Sequence, residues 1–242
     1  MTRWLSVQRS SVYELRPMLI EESRGTILAL TEDHCRVDPD WAKILMQLHI
    51  EHPEALAIGG PVANDATAGS FDRASYLVVQ AGCLPPVRPG PTRRLAHANI
   101  SYKRKAFGAA TAIPGLGLLD SFHQTALASQ PGATLLDPRP VVWHDQSLGI
   151  RGFIRQHFHA GRTWGGFVRA EGGRRRLFRL AAAPMVPWVR LTFAVAAARR
   201  SNYRNDICLS FVPMILLLLC QTAGQIVGLT AGAGDSPLRV EG

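Results

Sequence analysis

No Cys-x-x-Cys pair, no Gly-x-Ser-x-Gly nucleophile elbow and no His-Glu-x-x-His helix occurs anywhere in this chain of 242 residues. The four cysteines, at 35, 83, 208 and 220, stand far apart. A disulfide framework or a zinc ribbon is therefore not expected, and reduced thiols in a cytoplasm-facing protein are. The other two absences remove serine-hydrolase and zincin readings. A secretory signal is missing as well, because the charged start, residues 1–9, leads into no apolar h-region. There is no internal repeat and no low-complexity tract. Nor does a strand-like segment precede residue 26, where an α/β nucleotide-binding unit would already have placed its first strands. The expectation is a fragment, or a chain whose start is misplaced.

An evenly spread positive charge is also lacking. The formal net charge is +9, yet residues 151–205 hold twelve arginines against one acid, Glu171, and carry +11 by themselves. Everything else sums to −2. Aromatics do not interleave with the arginines as a platform for stacked bases would require, so nucleic acid is not an expected partner. A basic block beside the most apolar part of the chain is instead the pattern of a segment lying on an anionic membrane surface. Hydrophobic residues make up 47% of the sequence, high for a freely soluble protein, so part of that content is not core.

What is present centres on residues 25–41. Residues 26–30 read as a short buried strand that ends in three metal-capable side chains, Glu32, Asp33 and His34. A helix follows at once, with Asp38 placed to cap it, Pro39 in its first turn, and Trp41, Ile44, Leu45 and Leu48 on one apolar face. Ligands at the carboxyl end of a strand are where open α/β sheets bind their substrates. Before this unit, residues 12–22 suggest one helix interrupted by Pro17. After it come strands at 55–58, 97–102, 134–136 and 140–143, the last ending at His144, and helices at 71–79 and 119–130, with a further helix expected to begin at Lys103, Arg104 and Lys105. Gly59-Gly60-Pro61 marks a turn or a close backbone approach. Residues 84–91 and 114–117 are loops. Strands alternating with helices at this spacing argue for an α/β sheet.

From residue 149 the chemistry changes. Residues 149–176 form a basic amphipathic juxtamembrane helix. Residues 177–198 are apolar but carry Arg179, Arg190 and two prolines, which favours an interfacial or re-entrant segment over a simple span. Residues 207–234 are uncharged and long enough to cross a bilayer, which makes them the transmembrane candidate. Arg199, Arg200 and Arg204 place their N-terminal side in the cytoplasm. Gly224, Gly228 and Gly232 recur every fourth residue, a stripe for close packing of another helix.

Taken in order, Gly25 to His34, Pro39-Asp40-Trp41, Gly59-Gly60-Pro61-Val62, Asn99-Ile100-Ser101-Tyr102-Lys103-Arg104 and Val141-Val142-Trp143-His144 resemble the inverting glycosyltransferases of family 2. The likeness covers most of residues 10–165, and the arginine-flanked apolar tail is similar to that of membrane-associated members. It implies an incomplete GT-A (nucleotide-diphospho-sugar transferase-like) α/β sheet with helices on both faces over residues 1–148, followed by C-terminal membrane-associated helices. The family's strand–helix–strand that holds the nucleotide's base and ribose has no counterpart here.

The resemblance also implies roles. Glu32, Asp33 and His34 match the acidic motif through which a divalent cation bridges a nucleotide-sugar diphosphate. Oxygen ligands suit Mg²⁺ or Mn²⁺, and the imidazole shifts the balance toward Mn²⁺. His144 either completes the metal shell or is a satisfied strand-end histidine. Asp120 matches the general base that deprotonates the acceptor hydroxyl, or is a plain helix cap; Leu119 stands where the family has a neighbouring acid. The loop 97–99 with Asn99 matches a donor-approaching segment, Arg104 faces a phosphate or simply starts a helix, and His157 and Arg162 either meet phosphates at the membrane or belong to a solvated, lipid-facing helix face. The implied activity is transfer of a sugar, with inversion, from a nucleotide-sugar to a lipid or polysaccharide acceptor of the cell envelope. It would take place at the inner membrane, with the catalytic part facing the cytoplasm. The alternative is an inactive transferase-like membrane protein acting as a partner or scaffold.

Overall fold

The computed structural model describes residues 4–8, 10–65, 69–108, 112–113 and 116–240. Pro114 and Gly115 of the expected loop 114–117 lie outside the described residues. The chain forms a mixed α/β body with two sheets, and its C-terminal helices pack onto that body.

Helix α1 (Val12–Glu22) opens on a capping box: the Ser11 N–H donates to the Glu14 carboxylate at 2.9 Å, and the Glu14 N–H donates to Ser11 Oγ. Pro17 lies inside it. Because proline has no N–H, the carbonyl four residues earlier is left free. That carbonyl, on Tyr13, accepts from the Leu118 N–H at 2.7 Å instead. The neighbouring Gly117 has φ +84°, and a Cβ there would lie 2.0 Å from the Tyr13 oxygen, so only glycine permits this junction. Pro17 thus couples α1 to the segment that carries Asp120.

The main sheet comprises β1 (Ile27–Leu30), β3 (Ala57–Gly59), β5 (Gly90–Pro91), β6 (Ile100–Lys103) and β7 (Thr134–Leu136) in the order β1-β6-β3-β7-β5. Only β3 and β7 run parallel. β1 pairs with β6 alone, Ile27 opposite Lys103, and is an edge strand among the described residues. A small second sheet holds β2 (Cys35–Val37), β8 (Val142–His144) and β4 (Val62–Asn64), in the order β2-β8-β4.

Helix α2 (Trp41–Glu51) follows the expected register, burying Trp41, Leu45 and Leu48. Asp38 holds the turn before it, accepting from the Asp40 N–H at 3.0 Å, rather than capping the helix. α3 (Ser70–Val79) and α4 (Asp120–Leu127) also lie where the apolar period places helices. The helix expected from Lys103 is only a 3-10 turn, Arg104–Ala106. The close approach at Gly59-Gly60 is real: a Cβ on Gly60 would sit 2.0 Å from the Pro140 oxygen. The short strands β2 and β4 are not among the expected ones: each directly follows a turn and carries a polar residue, Arg36 or Asn64, so no apolar run marks it.

The basic segment ends earlier than expected. α5 (Gly149–Glu171) stops at Gly172 and Gly173, whose φ angles of +73° and +75° suit glycine, and Arg174–Arg176 begin the next helix. α6 (Arg174–Ala182), a 3-10 turn (Ala183–Met185) and α7 (Val186–Arg199) then run on without a gap, because Pro184 falls in the 3-10 turn and Pro187 in the first turn of α7. α8 (Asp206–Ala231) is the longest helix. Arg174–Arg199 and Asp206–Ala231 are both long and apolar enough to cross a membrane. Of the expected stripe, Gly224 and Gly228 find their partner within the chain, whereas Gly232 ends α8 at φ +89° and makes no close helix contact. A Cβ on Gly224 or Gly228 would meet the Phe158 or Arg162 carbonyl at 2.0 or 2.1 Å, and one on Gly161 or Gly165 would meet the α8 backbone just as closely. The α5 and α8 backbones are therefore in direct contact. Leu191 and Ala194 of α7, and Met214, Leu217 and Leu218 of α8, share one buried core with Leu77, Ile100 and Tyr102 of the α/β body.

Candidate metal centre

The β2–β8 pairing is what builds the site. Cys35 lies opposite His144 in an antiparallel register, and the turn that leads into β2 holds Glu32 and His34 over the same point. Three ligand atoms converge there. His34 Nε2 is 3.1 Å from His144 Nε2 and 3.3 Å from Glu32 Oε2, and His144 Nε2 is 3.6 Å from that oxygen. With Cys35, one ligand atom from each of four side chains lies within 4.8 Å of all the others. A first-row or magnesium ion with ligands at ~2.1 Å separates neighbouring ligands by about 3.0–3.4 Å. Two of the spacings, 3.1 and 3.3 Å, fall in that range and the third, 3.6 Å, lies just above it, so Glu32, His34 and His144 fit a small divalent cation with a slight inward shift of His144.

The charge balance supports that fit. Two facing imidazole nitrogens at 3.1 Å require that one carry a proton. Hydrogen bonding to Glu32 raises the His34 pKa to about 9 against the opposing effect of burial, with help from Asp33. Burial works against the Glu32 charge, but hydrogen bonds from His144 and His34 overcome it and hold that carboxyl well below the usual range. A proton thus occupies the point on which the ligands converge, where a cation would compete with it. Burial, then the Glu32 charge, push the Cys35 thiol up to about 12, leaving a nitrogen–oxygen set with a neutral sulfur beside it.

Asp33 does not join the cluster. Its side chain is fully exposed and its Oδ1 lies 2.9 Å from His34 Nδ1, which turns Nε2 of the same ring inward. Carboxylates behind metal-bound histidines act in this way.

Asp120 lies elsewhere, 1% exposed at the start of α4. Its Oδ2 takes both the Arg16 guanidinium and, at 3.0 Å, His97 Nδ1, while its Oδ1 is buried with no hydrogen-bond partner among the described residues. His97 is 38% exposed, the outward member of the pair. Desolvation of the ring, with Arg16 acting in the same direction, shifts its pKa downward, and the Glu32 charge opposes that shift.

No protein-family model matches the chain. A glucosyl-dolichyl phosphate glucuronosyltransferase of Haloferax volcanii is 30% identical to it over 93 residues, which cover 36% of this chain and 29% of that protein. The chain is distantly related to a glycosyltransferase. The match spans less than a third of the relative's length.

The other sequence-derived candidates are engaged in structure. Asn99 is fully buried; its Nδ2 donates to the Pro61 and Pro140 carbonyls at 2.9 and 2.6 Å and its Oδ1 accepts from Trp41 Nε1 at 2.9 Å. It locks α2 onto both sheets. Arg104 donates to the Ile20, Ser23 and Gly25 carbonyls at 3.0, 2.6 and 2.9 Å, tying down the end of α1. His157 and His159 are buried on α5, paired with Ser75 Oγ and Ser236 Oγ at 3.0 and 2.9 Å, so residues 156–162 are not a solvated face. Arg162 donates to the Gly232 carbonyl at 3.2 Å, closing α8. Cys35 and Arg16 are the residues that sequence reasoning missed. Cys35 directly follows the Glu32–His34 run, and that adjacency was the available signal; nothing local marks Arg16.

Proposed function

We propose that this chain carries the metal-binding half of a family 2-like glycosyltransferase site with a GT-A-type sheet, acting on a nucleotide-sugar donor and a lipid-linked acceptor. The observation that carries this reading is the convergence of Glu32, His34 and His144 at the carboxyl end of β1, in a chain distantly related to a glycosyltransferase. The relative's name couples a sugar transferase to a dolichyl phosphate, which supports a lipid phosphate acceptor for this chain, and the apolar helices support a membrane location; the cytoplasmic face is the side that Arg199, Arg200 and Arg204 favour.

In this reading Glu32, His34 and His144 hold Mn²⁺ in preference to Mg²⁺, since two imidazoles favour the softer ion. When bound, the cation neutralises charge on the departing diphosphate. Asp33 orients His34. The acceptor hydroxyl attacks the anomeric carbon opposite the diphosphate, so the new carbon–oxygen bond forms as the sugar–phosphate bond breaks, with inversion. Its proton passes to the His97–Asp120 pair, in which neutral His97 faces outward and Asp120 behind it keeps one oxygen without a partner among the described residues.

A second reading, a non-catalytic membrane-bound partner, is favoured by the seclusion of Asp120 beneath Arg16. Calorimetric titration of the whole chain with UDP, GDP and dTDP, each with and without Mn²⁺, separates the two. Metal-dependent binding of one diphosphate is expected; no binding of any would leave the partner reading.

A further inference from the structure

Helix α8 spans about 39 Å at 1.5 Å per residue, enough to cross a bilayer. A crossing helix must deliver its two ends to opposite faces of a layer ~30 Å thick. Here both ends are joined to the same α/β body. At the N-terminal end, Asp206 pairs with Arg73 of α3 at 3.1 Å, Tyr203 Oη accepts from the Asn64 N–H of β4 at 3.0 Å, and the Asn202 N–H donates to the Pro85 carbonyl. Just beyond the C-terminal end, buried Ser236 pairs with His159 of α5, and Val240 packs against the cluster of Tyr13, Leu119 and Phe167, in which Leu119 lies next to Asp120. Midway, Met214, Leu217 and Leu218 enter the main core.

The opposite face of α8 is bare. Leu209, Val212, Leu216, Leu219 and Ile226 are 40–64% exposed at helical spacing. α6, the 3-10 turn after it and α7 add Phe178, Met185, Trp188, Val189 and Phe193, all about half exposed or more. Exposed arginines stand at both ends of this apolar surface: Arg174, Arg175 and Arg179 at one, Arg199, Arg200 and Arg204 at the other. Between α7 and α8 runs a groove of about 540 Å³ with walls of Leu191, Val195, Ala196 and Phe211, and with Arg199 and Arg200 also lining it. Apolar walls beside two guanidiniums complement an acyl chain and its phosphate.

We propose that the chain is monotopic: α6, α7 and α8 lie in the plane of one anionic membrane leaflet, their apolar faces in the acyl region and their arginines at the phosphates, and α8 does not cross. The arrangement is that of an interfacial helix, in which apolar burial supplies depth and basic residues supply charge. It also keeps the Glu32–His34–His144 cluster and Asp120 on the same side of the membrane as both ends of α8.

Two single-cysteine reporters, Asn202→Cys and Asp235→Cys, each in the full chain with Cys35, Cys83, Cys208 and Cys220 changed to serine, test this in sealed right-side-out and inverted membrane vesicles. A membrane-impermeant maleimide should label both from the same side. Labelling from opposite sides would overturn the proposal. Arg204→Cys and Leu238→Cys are a second pair should the first disturb the fold. For the charge, Arg174→Gln, Arg175→Gln and Arg179→Gln together should weaken binding to phosphatidylcholine vesicles containing phosphatidylglycerol by about 100-fold, at roughly fivefold per arginine. Equal binding to purely neutral vesicles, or a purified dimer that binds neither kind, would exclude an anionic leaflet as the occupant. Both readouts are independent of sugar transfer, so their failure leaves the transferase reading intact.

Discussion

The sharpest consequence of the site geometry concerns Asp33, which the acidic motif presents as a metal ligand and which the fold turns outward. Its carboxylate touches only the far nitrogen of His34 and is fully exposed. Loss of an orienting partner behind a ligating histidine weakens metal binding by about 10–100-fold, and the full exposure of Asp33 to screening solvent places it at the low end of that range. Asp33→Ala should therefore lower Mn²⁺ affinity by about tenfold and leave it measurable. Glu32→Ala removes a donor atom and leaves two imidazoles facing each other, and should weaken binding by more than about 100-fold. Calorimetric titration of both variants with Mn²⁺ at one pH, with circular dichroism to confirm an unchanged fold, gives the comparison. Equal losses, or a larger loss for Asp33→Ala, would refute the assignment of ligand and orienting roles.

The raised His34 pKa sets a pH dependence for Mn²⁺ binding: affinity should climb about tenfold per pH unit up to about 9 and then level, with close to one proton released per ion at pH 7, read by titration in buffers of different ionisation enthalpy. The metal-free protein should behave in the opposite sense. A histidine whose pKa rises on folding stabilises fully below its unfolded value, near 6.5, and that contribution is lost as pH rises through about 9, visible as a falling Tm. Cys35→Ser should weaken Zn²⁺ binding markedly while changing Mn²⁺ binding only a few-fold, since sulfur favours the softer ion. Gly224→Ala would place a Cβ 2.0 Å from the Phe158 carbonyl and force α5 and α8 apart; a loss of ~1–3 kcal/mol, seen as a Tm lowered by about 2–12 °C, is expected. Arg16→Ala should cost ~3–5 kcal/mol, because it leaves the Asp120 carboxylate buried without its cation.

Periodicity over ten or more residues made the long helices legible. α2, α3 and α8 each carry several turns of apolar pattern, and their bounds agree with the sequence to within a few residues; α5 begins where expected but stops at Glu171. β3, β7 and β8 are only three residues long yet were legible, because each lies in an apolar run; β2 and β4 directly follow turns and carry Arg36 and Asn64, so they were hidden, and with them the register that brings Cys35 opposite His144. Glu32 and His34 could be picked out because ligand-capable side chains at a strand end are chemically conspicuous. Arg104, Asn99 and Arg162 were misleading for the same reason: a polar side chain reads alike whether it meets a phosphate or closes a helix.

Composition and local pattern alone determined the α/β character, the confinement of positive charge to residues 151–205, the apolar tail and the acidic run at 32–34. These depend on neighbours along the chain. Contacts between distant residues decided the rest. Whether Asp33 or His144 faces the cluster depends on a β-pairing across 110 residues. Whether Asp120 is open or covered depends on Arg16, which α1 brings over it through the bond from the Leu118 N–H to the Tyr13 carbonyl. Whether an apolar helix crosses a membrane depends on what its two ends touch, and both ends of α8 touch the same body.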